Sequence, residues 1–318
     1  MSSHTSTVAV LILVSLITAG VFIWWLAPRE LSNKAGEFSG ELAFKHVEDQ
    51  MVFGPRPTGS DANRKTGDYI LAELERLGWQ TDTQEFTYRS TVVRNIIGKA
   101  GLGLGSVIII GAHYDTRMRA DRDSTNPTAA VPGANDGASG VAVLLELARV
   151  LDIKAVRSEI WLTFFDAEDN GGIDGWDWIV GSTYMAEHLT VMPQSMILVD
   201  MVGDTDQRMY MDRNSDLGLS KRLFQIAHDL GYGQHFIPVP KYAMLDDHTP
   251  FARLGIRAVD LIDFDYPHWH TTADTIDKVS PNSLERVGRT IETFIEHYAT
   301  YDLLLRLVSQ RTAPFLIT

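Results

Sequence analysis

The chain has 318 residues, 45% of them hydrophobic and 22% charged, the composition of a globular protein long enough to bury a sizeable core. A net charge of -13 and the lack of any Lys/Arg-rich run oppose the basic footprint that grips phosphate backbones, so no nucleic-acid partner is expected. Cysteine is absent, which rules out disulfides, thiolate metal ligands and an acylated lipoprotein anchor.

The first feature along the chain is Val8 to Ala27, 20 residues without a charge that end in Trp24-Trp25 just before Arg29. That length crosses a bilayer as a helix, and paired Trp suits the interface. Only His4 precedes the run in place of a basic start, which favours an uncleaved anchor over a cleaved signal peptide. Residues 1–28 are therefore read as a membrane anchor or signal segment, 29–40 as a polar linker, and 41–318 as a catalytic domain. Likeness of the segment to a signal-anchor places that domain outside the cytoplasm, and a cleaved segment would make the protein secreted.

Apolar spacing predicts helices over Glu41 to Val52 and Ala62 to Leu77, separated by the turn-rich Gly54-Pro55-Arg56-Pro57-Thr58-Gly59. Thr81 to Val93 alternates as one strand, Val107 to Gly111 reads as a short buried strand, and Gly140 to Leu151 as an apolar helix. Glu159 to Phe165, Met196 to Met201 and Ala258 to Ile262 read as further buried strands. Leu217 to Leu230 is an amphipathic helix, and a long terminal helix runs from Asn282 to Leu305 behind Ser280-Pro281. Strands alternating with helices imply an α/β sandwich around a largely parallel sheet, whose ligands bind at the carboxyl ends of the strands.

The residues at those ends carry chemistry. His113 and Asp115 follow one strand, Glu168 and Asp169 the next and Asp200 a third; Asp136 precedes a helix, and His270 lies in HWHTTAD. Imidazole and carboxylate are what zinc takes when thiols are missing. Any one of these alone is more often a turn residue or a satisfied polar group, but their recurrence at successive strand ends is hard to ascribe to chance. Glu168 and Asp169 are neighbours that generally point apart, so one carboxylate can bind metal while the other handles protons.

The segments GAHYDT, GANDGASGVAVLLELAR, FFDAED, LVDMVGD, DDHTPF and YPHWHT resemble, in order and spacing, the zinc aminopeptidase superfamily and within it the glutaminyl cyclase branch of animal and bacterial type. The resemblance spans roughly residues 41 to 300. It implies a three-layer α/β sandwich with a central mixed sheet, and an enzyme that turns the N-terminal glutamine of peptides into pyroglutamate with release of ammonia. It further implies one zinc ion held by Asp136, Asp169 and His270, Glu168 as general acid and base, and Asp200 and Asp246 as supporting acids. Trp269 matches a Trp that shapes the cyclase pocket, Trp176 falls near a second after a one-residue gap, and Tyr266 stands where the animal enzymes have Phe. Asp169 replaces a Glu of the animal enzymes, as in the bacterial ones. The rival implied by the same superfamily is a two-zinc aminopeptidase, in which His113 and Asp200 hold a second ion bridged through Asp136. Trp176, the Trp269-His270 pair and Asp246-Asp247-His248 look more like the cyclases. A receptor-like ectodomain without chemistry is disfavoured, since no matched acid or ligand is replaced by an inert residue.

Overall fold

The computed structural model describes residues 36–298 apart from 155 and 157. The expected anchor, and the part of the linker before residue 36, lie outside the described residues. Among the described residues no helix is long and apolar enough to cross a membrane.

Two helices open the domain, and both are capped as their sequences direct. In α1 (Gly40–Met51) the Ser39 side chain accepts from the N–H of Leu42, and in α2 (Asp61–Arg76) Ser60 accepts from that of Asn63. The single strand expected over Thr81 to Val93 is instead a hairpin, β1 (Gln80–Tyr88) and β2 (Thr91–Ala100), paired antiparallel. Its turn is Arg89-Ser90, with φ of 47° and 64°. Such turns usually advertise themselves with Asn or Gly, and here neither is present, so the alternation reads straight through the bend.

The centre of the sheet is parallel. Its order is β1-β2-β4-β3-β5-β8, where β3 (Val107–His113), β4 (Glu159–Phe165), β5 (Ser195–Asp200) and β8 (Arg257–Ile262) run the same way, and β2 joins β4 antiparallel. Every residue of β3 and β5 is buried, as continuous apolar runs covered on both faces must be. One face is covered by α3 (Ala138–Val150), buried from Ala138 to Ala148, together with α1 and α7 (Pro281–Thr293). The other face packs against α4 (Val180–Glu187) and α6 (Thr249–Arg253) through Met185, Ala186 and Phe251. A small parallel pair, β6 (Met209–Met211) and β7 (Phe236–Pro240), flanks α5 (Leu217–Asp229). The terminal helix begins with Pro at its first position, as expected, but passes at Phe294 into one π-helical turn ending at Tyr298; the rest of the expected span lies outside the described residues.

This topology decides where the chemistry gathers. The chain passes from β3 to β4 on one side and returns to β5 on the other side of β3, so the connections diverge at the carboxyl end of β3 and leave a crevice there.

Candidate metal centre

Five segments bring side chains to that crevice. His113 is the last residue of β3, Asp200 the last of β5, Glu168 and Asp169 follow β4, and Asp136 sits one residue before Gly137, the N-cap of α3. His270 arrives on the loop after β8. Ala167, Met201 and His270 all adopt left-handed backbone, with φ of 59°, 43° and 57°. Non-glycine residues held there cost of order 1–3 kcal/mol each, so the surrounding fold is stabilising three strained positions at one place.

Two ligand groups result, and they share one residue. Asp136, Asp169 and His270 offer atoms that all lie within 4.8 Å of one another, and so do His113, Asp136 and Asp200. Asp136 serves each group with a different oxygen: Oδ1 is 3.2 Å from His113 Nε2, and Oδ2 is 3.7 Å from His270 Nε2. His113 Nε2 is also 3.0 Å from Asp200 Oδ1, and His270 Nε2 is 2.9 Å from Asp169 Oδ1. All five residues are buried.

The polar atoms left over show what the site is built to hold. Asp136 Oδ2, Asp169 Oδ2 and His270 Nε2 are buried and lack hydrogen-bond partners, although His270 Nε2 and Asp169 Oδ1 nearly touch. Atoms converging on a common point without bonding one another have the arrangement of ligands, and buried unpaired carboxylates are costly unless a cation neutralises them. The donors are hard oxygen and imidazole nitrogen, so the residues fit a zinc ion.

A surrounding layer fixes each donor. Asp274 accepts the backbone N–H groups of Asn135 at 2.9 Å and Asp136 at 3.1 Å, and Tyr266 donates its hydroxyl to the same carboxylate at 2.7 Å. Asp115 accepts the N–H groups of Glu168 and Asp169 at 3.1 and 3.3 Å. Arg117 donates to the Asp169 carbonyl at 2.7 Å, and the Asp121 carboxylate lies 3.5 Å from His270 Nδ1, where it orients the ring. Arg56, fully buried in the loop before α2, donates to the carbonyls of Pro132 and Gly133 and so steadies the approach to Asp136.

Glu168 is 8% exposed. Burial holds its carboxyl well above the ordinary range; the acids of Asp169, Asp246 and Asp247 push the same way, and His113 opposes them. Burial also pushes Asp200 up to about 7, with Asp246 adding to it, and Asp169 up to about 6, with Asp136 adding to it. Asp246 is itself buried and shifted upward by that burial, and its Oδ1 accepts the N–H of Asp247 at 2.6 Å.

The aromatic residues fall differently from the sequence-based expectation. Trp269 lies beside His270, ring centroids 3.9 Å apart. Trp176, by contrast, packs on Tyr88 at 5.2 Å in a small cluster with Val93, Ala167 and Val180. The indole stacked on His270 is Trp178, 6.0 Å away and tilted by 10°, with Arg117 on its ring at 4.7 Å. Its ring lies where a Cβ on Gly171 would stand, 2.0 Å away, so glycine at 171 is what lets the indole lie flat. The resemblance pointed to Trp176 alone, and Trp178 stands two residues further on. Tyr266 is 4% exposed, and its hydroxyl is committed to Asp274, so it supports the Asn135-Asp136 turn from below. Asp274 and Arg117 were not singled out by sequence, because their partners are 138 and 52 residues away.

Comparison with known proteins gives a consistent picture. The model of peptidase family M28 matches residues 92–295. A glutaminyl-peptide cyclotransferase-like protein of Mus musculus is 26% identical over 284 residues, covering 76% of this chain and 72% of that protein. The glutaminyl cyclase of Porphyromonas gingivalis superposes with a TM-score of 0.78 at 34% identity, covering 82% of this chain and 99% of that one. A leucine aminopeptidase precursor from Bacteroides thetaiotaomicron gives a TM-score of 0.78 at 32% identity, with 84% and 99% covered.

Proposed function

We infer that this chain, which belongs to peptidase family M28, is a zinc-dependent glutaminyl cyclase acting on peptides with N-terminal glutamine. The observation that carries the reading is its likeness to the glutaminyl cyclase of Porphyromonas gingivalis at 34% identity over 99% of that chain, joined to a buried Asp136-Asp169-His270 group flanked by two indoles.

Asp136, Asp169 and His270 would hold one zinc ion, which when bound supplies Lewis-acid polarisation of the substrate γ-carbonyl. The remaining work belongs to the chain's own side chains. Glu168 accepts a proton from the substrate α-amine as its lone pair attacks the carbonyl carbon, Cδ, of the side-chain amide within the same residue. Trp178 and Trp269 wall the space over His270 and hold the glutamine side chain folded, which removes most of the entropic cost of bringing amine and carbonyl together. Burial, with Asp169, Asp246 and Asp247 adding to it, raises Glu168's affinity for that proton, which then passes to the departing ammonia, while Asp200 pairs with His113. No water is consumed, so walls that keep water out favour ring closure over hydrolysis.

The His113-Asp136-Asp200 group supports a second reading, an aminopeptidase with two zinc ions bridged through Asp136. Substrate choice separates the two. Ammonia release from a glutaminyl peptide with negligible leucine release from a leucyl peptide is the expected result, because the leucine side chain has no carbonyl to be polarised. Rapid leucine release without ammonia would replace the cyclase reading by the peptidase one.

The uncharged run from Val8 to Ala27 supports a membrane anchor with the catalytic domain outside the cytoplasm. A chain shortened to begin at Glu37 is expected to be soluble and to keep full turnover. Glu37 itself must stay, since its side chain pairs with Arg289 and its carbonyl accepts from Arg149. Loss of turnover by a folded, shortened chain would show that the first 36 residues contribute to the site.

A further inference from the structure

The loop between β3 and α3 spreads three guanidinium groups around the metal centre. Arg117 lies on the ring of Trp178 at 4.7 Å and Arg122 on the ring of Trp269 at 4.1 Å, so each of the two indoles beside His270 carries an arginine from the same loop. Arg119 stands between them in sequence. Their charges are matched differently. Arg117 is buried and pairs with Asp121 at 2.6 Å, and Arg119 pairs with Asp174 at 2.6 Å. The exposed guanidinium of Arg122 makes no ion pair and no hydrogen bond among the described residues. Its neighbour Asp123 does not fill that role, since the Asp123 carboxylate accepts from Thr272, Thr125 and the N–H of Asn126. Beyond Phe264, which meets Trp269 edge-on, Lys241 and Asp265 pair with each other. In a chain of net charge -13, Arg122 is thus a cation beside the metal centre that no acid of the described chain holds.

That side chain is also held ready. Stacking on the indole occupies a face of the guanidinium and leaves its in-plane N–H groups to meet a carboxylate. The main chain beneath it is pinned: Arg122 donates its N–H to the His270 carbonyl at 3.3 Å, Thr272 donates to Asp123 at 2.9 Å, and Val131 donates to the Arg117 carbonyl at 3.0 Å. A donor already fixed in place loses little freedom on binding. What passes over it follows from the reaction. An N-terminal glutamine brings both its α-amine and its side-chain amide into the crevice, so its one remaining connection, the peptide bond to the second residue, has to leave past the walls. Those walls are Trp178 and Trp269, and the second residue is the first group to reach the arginine that lies on Trp269. A carboxylate there gains charge-assisted hydrogen bonds, an alanine gains nothing and a lysine is repelled.

We propose that Arg122 reads the second residue of the substrate and selects peptides in which aspartate or glutamate follows the N-terminal glutamine. It is a specificity-determining residue and takes no part in ring closure: its guanidinium binds the second side chain while Glu168 acts on the first residue. This proposal rests on the cyclase reading, which supplies glutamine as that first residue.

The test uses the full, zinc-loaded chain and three peptides that begin Gln-Glu, Gln-Ala and Gln-Lys, continue with the same neutral residues and end in an amide, so that only the second side chain differs in charge. Ammonia release gives kcat and KM for each. The expected kcat/KM for the Gln-Glu peptide is roughly threefold to fivefold above that for Gln-Ala, the worth of an exposed ion pair, with Gln-Lys below both and the difference lying in KM. Arg122→Gln is expected to bring the three within about twofold of one another, Arg122→Glu to invert their order, and Arg122→Lys to keep it. An equal loss on all three peptides in Arg122→Gln, with their ratios intact, would show that Arg122 only steadies Trp269 and would overturn the selection. Should the variants lose the circular dichroism spectrum of the unaltered chain, that chain decides by itself. Raising the salt from about 50 mM to about 500 mM should shrink its preference for Gln-Glu over Gln-Ala, and a preference unmoved by salt overturns selection by charge. Equal kcat/KM for the three peptides in the unaltered chain overturns the selection and leaves the cyclase reading standing. Ammonia from none of them sinks the cyclase reading and the selection with it.

Discussion

Glu168→Gln is expected to lose turnover on a glutaminyl peptide by about 10² to 10⁴-fold, the usual contribution of general acid and base catalysis. In barrier height that is roughly 3–5 kcal/mol. The substitution keeps the shape of the side chain, and the Glu168 backbone N–H still donates to Asp115, so the loop after β4 keeps its course. What is lost is a group that can take the amine proton and return it. Burial and the acids of Asp169, Asp246 and Asp247 raise the proton affinity of Glu168 in the native site, and a carboxamide has none to raise. Metal content is expected to match that of the unaltered chain, because the proposed ligands Asp136, Asp169 and His270 are untouched. Turnover within a few-fold of the unaltered enzyme would remove Glu168 from its proton-handling role.

His270→Ala is expected to release the zinc and with it essentially all activity, whereas His113→Ala is expected to leave the zinc in place. The asymmetry follows from the two ligand groups. His270 Nε2 has no hydrogen-bond partner and faces Asp169 and Asp136, so its removal takes a donor from the proposed zinc site. His113 Nε2 instead pairs with Asp200 Oδ1 at 3.0 Å, so in the single-zinc reading it neutralises an acid beside the site. Its loss would leave Asp200 and Asp136 less compensated and slow turnover without emptying the site. Metal analysis of the purified variants decides the matter. Two zinc ions in the unaltered chain, both diminished by His113→Ala, would support the two-zinc arrangement and sink the single-zinc one.

Much of this site is legible in the order of residues along the chain. The acids and imidazoles stand directly after runs such as VIIIGAH and EIWLTFF, whose unbroken hydrophobicity marks strands buried on both faces. A strand so buried must end where the chain meets solvent or a ligand, so polar residues at its carboxyl end announce themselves. The hairpin is hidden because Arg89 and Ser90 turn the chain through left-handed backbone without Gly or Asn. Of the aromatics near the site, Trp176 and Trp178 lie on one short loop and differ in what faces them, Tyr88 for the first and Gly171 and His270 for the second.

By itself, then, the sequence determined the α/β class, the residue types that can ligate a metal, and the places along the chain where they stand, because hydrophobic periodicity and strand ends are local properties. Only the tertiary structure decided which of them meet. That Asp136 offers one oxygen to His113 and the other to His270, that Asp274 braces Asp136 from 138 residues away, and that Trp178 covers His270 all depend on sheet order and on the course of the loop after β8. Those are set by packing the whole core, in which the partners of a contact are remote along the chain and no local pattern records their pairing.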